Sequence, residues 1–283
     1  MPIVISEDLV ATVTTGALNN PSIGYINYVT VANITTFNPD DDTEIEDAEH
    51  PTINMANPST YLYFQQDTAG EDAAVQVLLD GLNLVDYIGI AGHTFGSGAR
   101  RVQLFGATQL DEYSQPVYSA LSDQQIFGSD QPIMYRFDPD YYVGLKLVAE
   151  ATTTDTLQIA VVYVGKLLVS ERMIQVAFTP ITMGRKRDVT NQRGEAGSFL
   201  GRMMIGQFVE SAAHISHMSP SFYREEFDPF VNEAGTEPFF FAWAPIDWPL
   251  EVGYAWLMEE PIPEIHDPTG LMQITLRMQG IVE

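Results

Sequence analysis

The stretch VDYIGIAGHTFGSGARRVQLFGA, residues 85–107, decides the fold class. It opens on an apolar run, Tyr87 to Ala91, passes Gly92, Gly96 and Gly98, and enters a second run, 101–107, that reads as another strand. Glycines that cradle a phosphate lead directly into a helix N-terminus, where unpaired backbone N–H groups gather. No helix follows here. The stretch is therefore strand, turn, strand, and a nucleotide loop is set aside.

Working outward, runs of the same character recur at 23–34, 60–65, 74–79, 133–137, 142–149 and 157–164. Each is rich in Val, Ile, Tyr, Phe or Thr, and each is bounded by Gly, Pro, Asn or Asp. Strands this short and closely spaced predict an all-β chain with a jelly-roll β-sandwich. Near residues 168–172 the composition changes to a polar, Gly-containing and basic stretch, VAFTPITMGRKRDVTNQRGEAGSFLGR. A domain boundary is expected there, with residues 1–172 forming the jelly roll and 173–283 a second, β-rich assembly domain. In that second part 237–244 and 253–258 read as strands, and 271–281 alternates Met272, Ile274, Leu276 and Met278 with polar residues, the period of a half-buried strand. One helix is predicted over 219–232, with Ser219 as N-cap and Pro220 in the first turn. Pro229 is expected to break or kink it.

The chain has 283 residues, 45% of them hydrophobic, enough for substantial cores. It has no cysteine, which excludes disulfides and thiolate chemistry. The N-terminus lacks the pattern of a signal peptide, and no apolar run is long enough to span a membrane. Synthesis in a cytoplasm and no membrane insertion are expected. The net charge of −25 opposes contact with nucleic acid. That charge is uneven. No Lys or Arg precedes Arg100, whereas Arg185, Lys186, Arg187, Arg193 and Arg202 cluster in what reads as a Gly-containing loop. An acidic body with one basic strip suits self-association, the cations meeting acidic surface on a neighbour.

Several motifs bear on chemistry. The acidic run Asp40, Asp41, Asp42, Glu44, Glu46, Asp47, Glu49 lacks the spacing of a calcium loop and reads as a solvated loop. His214 and His217, if helical, would share a face, but no carboxylate completes a zinc site. Asp247 and Glu251 lie among Trp243, Trp248 and Trp256, the best saccharide-like grouping in the chain. Trp is also a preferred interface anchor, and packing or interface is the favoured reading of all three. No catalytic residue, metal ligand or cofactor is assigned. The candidate assembly interface comprises Arg185, Lys186, Arg187, Arg193, Arg202, Trp243, Trp248 and Trp256.

A set of segments carries a resemblance. DYIGIAGH with VQLFGA, then FDPDYYVGLKLVAE at 137–150 and LQIAVVYVGKLLVSERM at 157–173, resembles discoidin-like (galactose-binding-like) jelly rolls of phage virion proteins. NQRGEAGSFLGR at 191–202 and FFFAWAPIDWPLEVGYAWLMEE at 239–260 resemble the linker and closing part of phage tail proteins. The resemblance implies a structural role in a virion tail, as tail tip, baseplate or distal tail ring. The implied partners are further copies of the chain in a symmetric ring and other tail proteins. A host-surface glycan is the alternative partner. Sugar-binding members of this class use loop aromatics and Arg at one rim. The lack of any basic residue before Arg100 departs from that pattern and leaves Asn19, Asn20, Tyr61 or Tyr113 as candidate contacts.

Overall fold

The computed structural model describes residues 2–7, 9, 18–81 and 83–281. Three sheets stack in layers, and one helical segment covers the last of them. The central sheet runs in the order Ile3–Ile5, Ile133–Tyr141, Leu84–His93, Gln158–Gly165, Phe64–Gln65. Its first pair is parallel and the others are antiparallel. The outer sheet runs Ile34–Phe37, Ala73–Leu78, Gly144–Glu150, Arg101–Ala107, Ser119–Ala120, and Gln125–Ile126 also pairs with Arg101–Ala107. The fold is an all-β jelly-roll sandwich carrying a third sheet.

Burial explains the sequence pattern. The strand Gln158–Gly165 reads as an unbroken apolar run because the central sheet is covered on both faces. Ile88, Ile90, Val162 and Val164 pack toward the outer sheet with Val75, Leu104 and Leu147. Tyr87, Ala91, Val161 and Tyr163 pack on the opposite side, against Phe240, Val252 and Tyr254 of the third sheet. That third sheet comprises Leu168–Val169, Ser22–Gly24, Phe239–Ala242, Val252–Leu257, Met272–Gly280, Phe199–Met218 and Arg185–Arg193 in order, with Glu264–Ile265 beside Met272–Gly280. Its far face, with Phe239, Phe241, Ile274 and Leu276, is covered by Tyr223, Phe227 and Phe230 of the helical segment.

The two inner sheets approach closely at Gly89. A Cβ there would lie 2.5 Å from the Phe240 ring. Gly89→Ala is therefore expected to destabilise the fold by about 1–3 kcal/mol through overpacking, read from urea unfolding midpoints. An unchanged midpoint would mean that the two layers are not packed as described.

Several expectations need correction. Residues 23–34 do not form one strand. Ser22–Gly24 belongs to the third sheet and Ile34–Phe37 to the outer one. Between them the Asn27 side chain accepts from Val29 N–H, and Asn33 bonds Thr30 N–H and the Tyr28 carbonyl. These local bonds compete with a ladder and turn the chain from sheet to sheet. The 60–65 strand shortens to Phe64–Gln65. The third sheet draws Ser22–Gly24 and Leu168–Val169 from before residue 172 and its remaining strands from after it.

The helix forms where expected. Ser219 accepts from Phe222 N–H, and Pro220 occupies the first turn. Pro229 does not end it. One π turn, Tyr223–Phe227, precedes Asp228–Ala234 and absorbs the missing N–H of Pro229. No helix among the described residues is long and apolar enough to cross a membrane.

Candidate assembly surface

The basic strip is not a loop. Arg185–Arg193 and the first half of Phe199–Met218 form an antiparallel hairpin, paired from Arg185 opposite Val209 to Arg193 opposite Phe199 with register shifts at Asp188/Val189 and Gln192/Arg193. Its tip is a tight turn in which Gly194 N–H donates to Ser198 O at 2.8 Å and Gly197 adopts φ +78°. Glycine reaches that conformation without the steric penalty other residues meet. The second half of Phe199–Met218 joins the third sheet, with Val209 opposite Gly280 and Met218 opposite Met272. Pairing with Met272–Gly280 stops at Val209. Residues 185–208 therefore project from the sheet as a two-stranded arm, roughly 30 Å long at the usual rise per strand residue.

The arm is unusual in what it leaves bare. Phe199, Leu200, Met203, Met204 and Ile205 are 58–67% exposed. A free two-stranded hairpin is marginally stable in water, and apolar residues on it favour a partner surface. Its charge also contrasts with the rest of the chain, with five cations against Asp188 and Glu195 alone. Lys186 pairs with Glu210 at 3.2 Å, Arg187 donates to Gln207 at 3.0 Å, and Arg202 donates to Asn191 at 2.7 Å. Arg185 and Arg193 form no ion pair among the described residues.

The tryptophans divide. Trp256 lies at the root of the arm, across from Gln279, which lies across from Glu210, the partner of Lys186. Trp243 is half-buried, with its ring centroid 5.4 Å from that of Phe178. Trp248 is 53% exposed on the turn before Val252–Leu257, away from the hairpin in sequence. Thus five of the eight expected interface residues stand on the arm, Trp256 borders it, and Trp243 and Trp248 belong to the 243–248 segment.

The acids beside the tryptophans are engaged structurally. Glu251 is buried and accepts from the Trp243 indole N–H. Asp247 accepts from the Asn19 amide at 2.7 Å, while Asn19 Oδ1 accepts from the backbone of Ile246 and Asp247. Asn19 is thus spent on tying the N-terminal chain to this turn. His214 and His217 lie on a strand and not a helix. His214 bonds Thr275 at 2.9 Å, and His217 packs on His266 with ring centroids 4.1 Å apart. No group of three or more His, Asp or Glu among the described residues is placed to hold a metal ion.

Two open clefts lie on the sandwich. One, of about 690 Å³, runs along the outer sheet beside the acidic loop and includes Glu44, Glu46, Ile53 and Tyr118. The other, of about 610 Å³, lies at a loop end and includes Thr60, His93, Ser97 and Asp130. There Asp130 accepts from Gly96 and Ser97 N–H, closing the glycine turn. His93 bonds the Gln131 carbonyl at 2.9 Å through Nε2 and accepts from Phe95 N–H through Nδ1, so it is neutral. Burial pushes its pKa down to about 4. Arg100 ends the turn fully buried, donating to the carbonyls of Glu71 and Asp155 and to Gln66. Both His93 and Arg100 brace the loop. The sequence reading rested on the glycines and missed Arg100, whose signal was that it and Arg101 are the first cations of the chain.

No family model matches this sequence, and no curated protein matches it. Solved structures similar to it include chitosan-binding module 1 of a chitosanase/glucanase from Paenibacillus sp. IK-5, at TM-score 0.40 and 10% identity, covering 50% of this chain and 97% of that one. The family 32 carbohydrate-binding module of Clostridium perfringens NanJ, in complex with galactose, is similar at TM-score 0.36 and 11% identity, covering 50% of this chain and 98% of that one. A pectin-binding carbohydrate-binding module is similar at TM-score 0.35 and 16% identity, covering 47% and 88%. Likeness at this level assigns no ligand to this chain.

Proposed function

We propose that this chain is a non-catalytic structural β protein that assembles with copies of itself through its hairpin arm. The observation that carries this reading is the arm itself: five large apolar side chains bare on a basic ribbon that projects from an acidic body. Burial of these side chains supplies the affinity, at roughly 1–2 kcal/mol each for the part now exposed. The cations set register and approach, since exposed ion pairs contribute only about 0–1 kcal/mol apiece. The setting is a phage virion tail, as tail tip, baseplate or distal tail ring, made in the host cytoplasm. That placement rests on the resemblance of segments within 85–107, of 137–150, 157–173, 191–202 and 239–260 to such proteins. Sedimentation velocity tests the assembly. The wild-type chain is expected to form a defined oligomer, and a Phe199→Ser, Leu200→Ser, Met203→Ser, Ile205→Ser variant to stay monomeric at the same concentration. A variant that associates like the wild type would remove the arm from the account.

A second reading, glycan binding for host-surface adsorption, is favoured by the loop-end cleft. Tyr61 is 87% exposed and follows Thr60, which lines it. An exposed aromatic beside an open cleft with polar groups is a platform on which a sugar ring can stack. On this reading glycan-array binding is present and disappears in Tyr61→Ala.

A further inference from the structure

We infer that the arm of one copy docks in the groove on the outer sheet of the next, so that the chain assembles head to tail. This rests on the proposed role of the arm and adds its receptor. The central sheet is covered on both faces, and the third sheet is so at Phe239–Ala242, whereas the outer sheet has a layer on its inner face only. Its outer face presents Thr35, Gln76, Lys146 and Phe105 in one cross-strand row, Thr35 exposed and the other three half-buried beside Tyr118. At the edge of this row the segment 38–53 rises to make one wall of the groove of about 690 Å³.

Three properties match the groove to the arm. The first is charge. Seven carboxylates lie in residues 40–49, and Glu44 and Glu46 line the groove itself. Thr43 donates to Asp41 through both N–H and hydroxyl and holds its carboxyl below the ordinary value, so this acid stays ionised. The one cation present, Lys146, is turned onto the Tyr118 ring at 4.6 Å and the Phe105 ring at 5.6 Å. The second is apolar surface. Ile53 is half exposed and lines the groove with Phe37 and Pro116, an apolar patch for the apolar side chains of the arm.

The third is position. The arm extends from the third sheet, and the groove lies on the outer face of the sheet two layers away. Contact between two such different surfaces is heterologous and closes into a ring or continues as a filament. The competing arrangement, arm against arm, would juxtapose five cations with five more, and like charges facing each other at an interface are unfavourable.

Charge exchange in the full-length chain tests this. Arm variant Arg193→Glu/Arg202→Glu and groove variant Glu44→Lys/Ile53→Lys change exposed side chains, and circular dichroism checks that each folds. Alone, each variant is expected to need at least about tenfold more protein than wild type for half-assembly, because the first sets new acids on the arm against the acidic groove and the second sets two new lysines in the groove against the basic arm. Mixed in equal amounts they are expected to recover assembly, since the new acids of one arm then meet the new lysines of the other variant's groove and the unchanged basic arm meets the unchanged acidic groove. If the groove variant alone assembles as readily as wild type, or the mixture of two folded variants does not recover, the groove is not the receptor. If the arm variant also assembles as wild type, the arm reading itself fails, and the two failures are thereby distinguished.

Discussion

Arg100→Met is expected to cost about 2–4 kcal/mol of folding stability through the loss of charge-assisted hydrogen bonds, the largest destabilisation expected of any single change named here. The guanidinium is fully buried at the end of the glycine turn and donates to the Glu71 carbonyl at 2.6 Å, the Asp155 carbonyl at 2.6 Å and Gln66 Oε1 at 3.1 Å. These acceptors come from two segments, 66–71 and the turn at Asp155, and the second also bonds the glycine turn through Thr152 to the Ala99 carbonyl and Thr153 to the Gly98 carbonyl. Methionine fills much of the volume but removes three charge-assisted hydrogen bonds; Glu71 O and Gln66 Oε1 keep Gln66 Nε2 and Leu157 N–H as donors, while Asp155 O is left facing an apolar side chain at a cost of about 1–3 kcal/mol if it finds no water. Arg100→Lys keeps the charge but replaces a planar fork of donors by one ammonium, and is expected to recover part of the loss. Urea unfolding of the three proteins, with slopes compared to confirm a common transition, reads this directly. A loss under about 1 kcal/mol for the methionine variant would mean the guanidinium is not the tie between these segments.

Two buried groups give the sandwich opposed responses to acid. Asp86 accepts from Leu167 N–H, but burial dominates and raises its pKa from 3.8 to about 6, against the pull of Arg136 and Lys166. Between those values the folded chain holds a proton that the unfolded chain has released. The stabilisation is fully present below 3.8 and is lost as pH rises through about 6. His93 acts the other way. Its pKa falls from 6.5 to about 4 through burial, so the unfolded chain binds the proton first, and stability present above 6.5 is lost as pH falls toward 4. Each gap corresponds to about 3 kcal/mol, so between about pH 4 and pH 6 the two nearly cancel.

Replacing either group unmasks the other. Asp86→Asn keeps an acceptor for Leu167 N–H and removes the buried charge. It is expected to gain up to about 3 kcal/mol at pH 7 relative to wild type and to lose that advantage toward pH 4. His93→Gln is expected to show the converse, its deficit against wild type shrinking as pH falls from 6.5 to 4. Comparing each variant with wild type at the same pH cancels the titration of the remaining carboxylates. Parallel stability curves from pH 4 to 7 would contradict the burial of both groups.

How much of this was legible depends on which faces are covered. The strands Arg101–Ala107 and Met272–Gly280 announced themselves because burial on one face selects alternate residues. Gln158–Gly165 announced itself as a run without polar interruption, although nothing in it named the second layer, formed by Phe240, Val252 and Tyr254 about 80 residues later. The arm was misread as a loop for the opposite reason. Neither face of 185–208 is covered, so no period is imposed, and glycines and charges dominated its reading. The interface residues chosen on charge nevertheless lie on that arm. Asp247 and Glu251 drew attention for the company of tryptophans. Their roles were set by Asn19, distant in sequence, and by the Trp243 indole, whose direction no sequence spacing reveals.

The arm's occupancy by another copy is the claim from which the functional account follows, and backbone amide hydrogen exchange measures it residue by residue. With the full chain diluted until it sediments as a monomer, amides in 199–208 are expected to exchange rapidly, as in an exposed hairpin. At concentrations where the chain assembles, protection is expected to rise in 199–208 and to leave the buried strand Gln158–Gly165 unchanged. Exchange in the arm that stays equally fast at every concentration, in a sample that does assemble, would contradict the account.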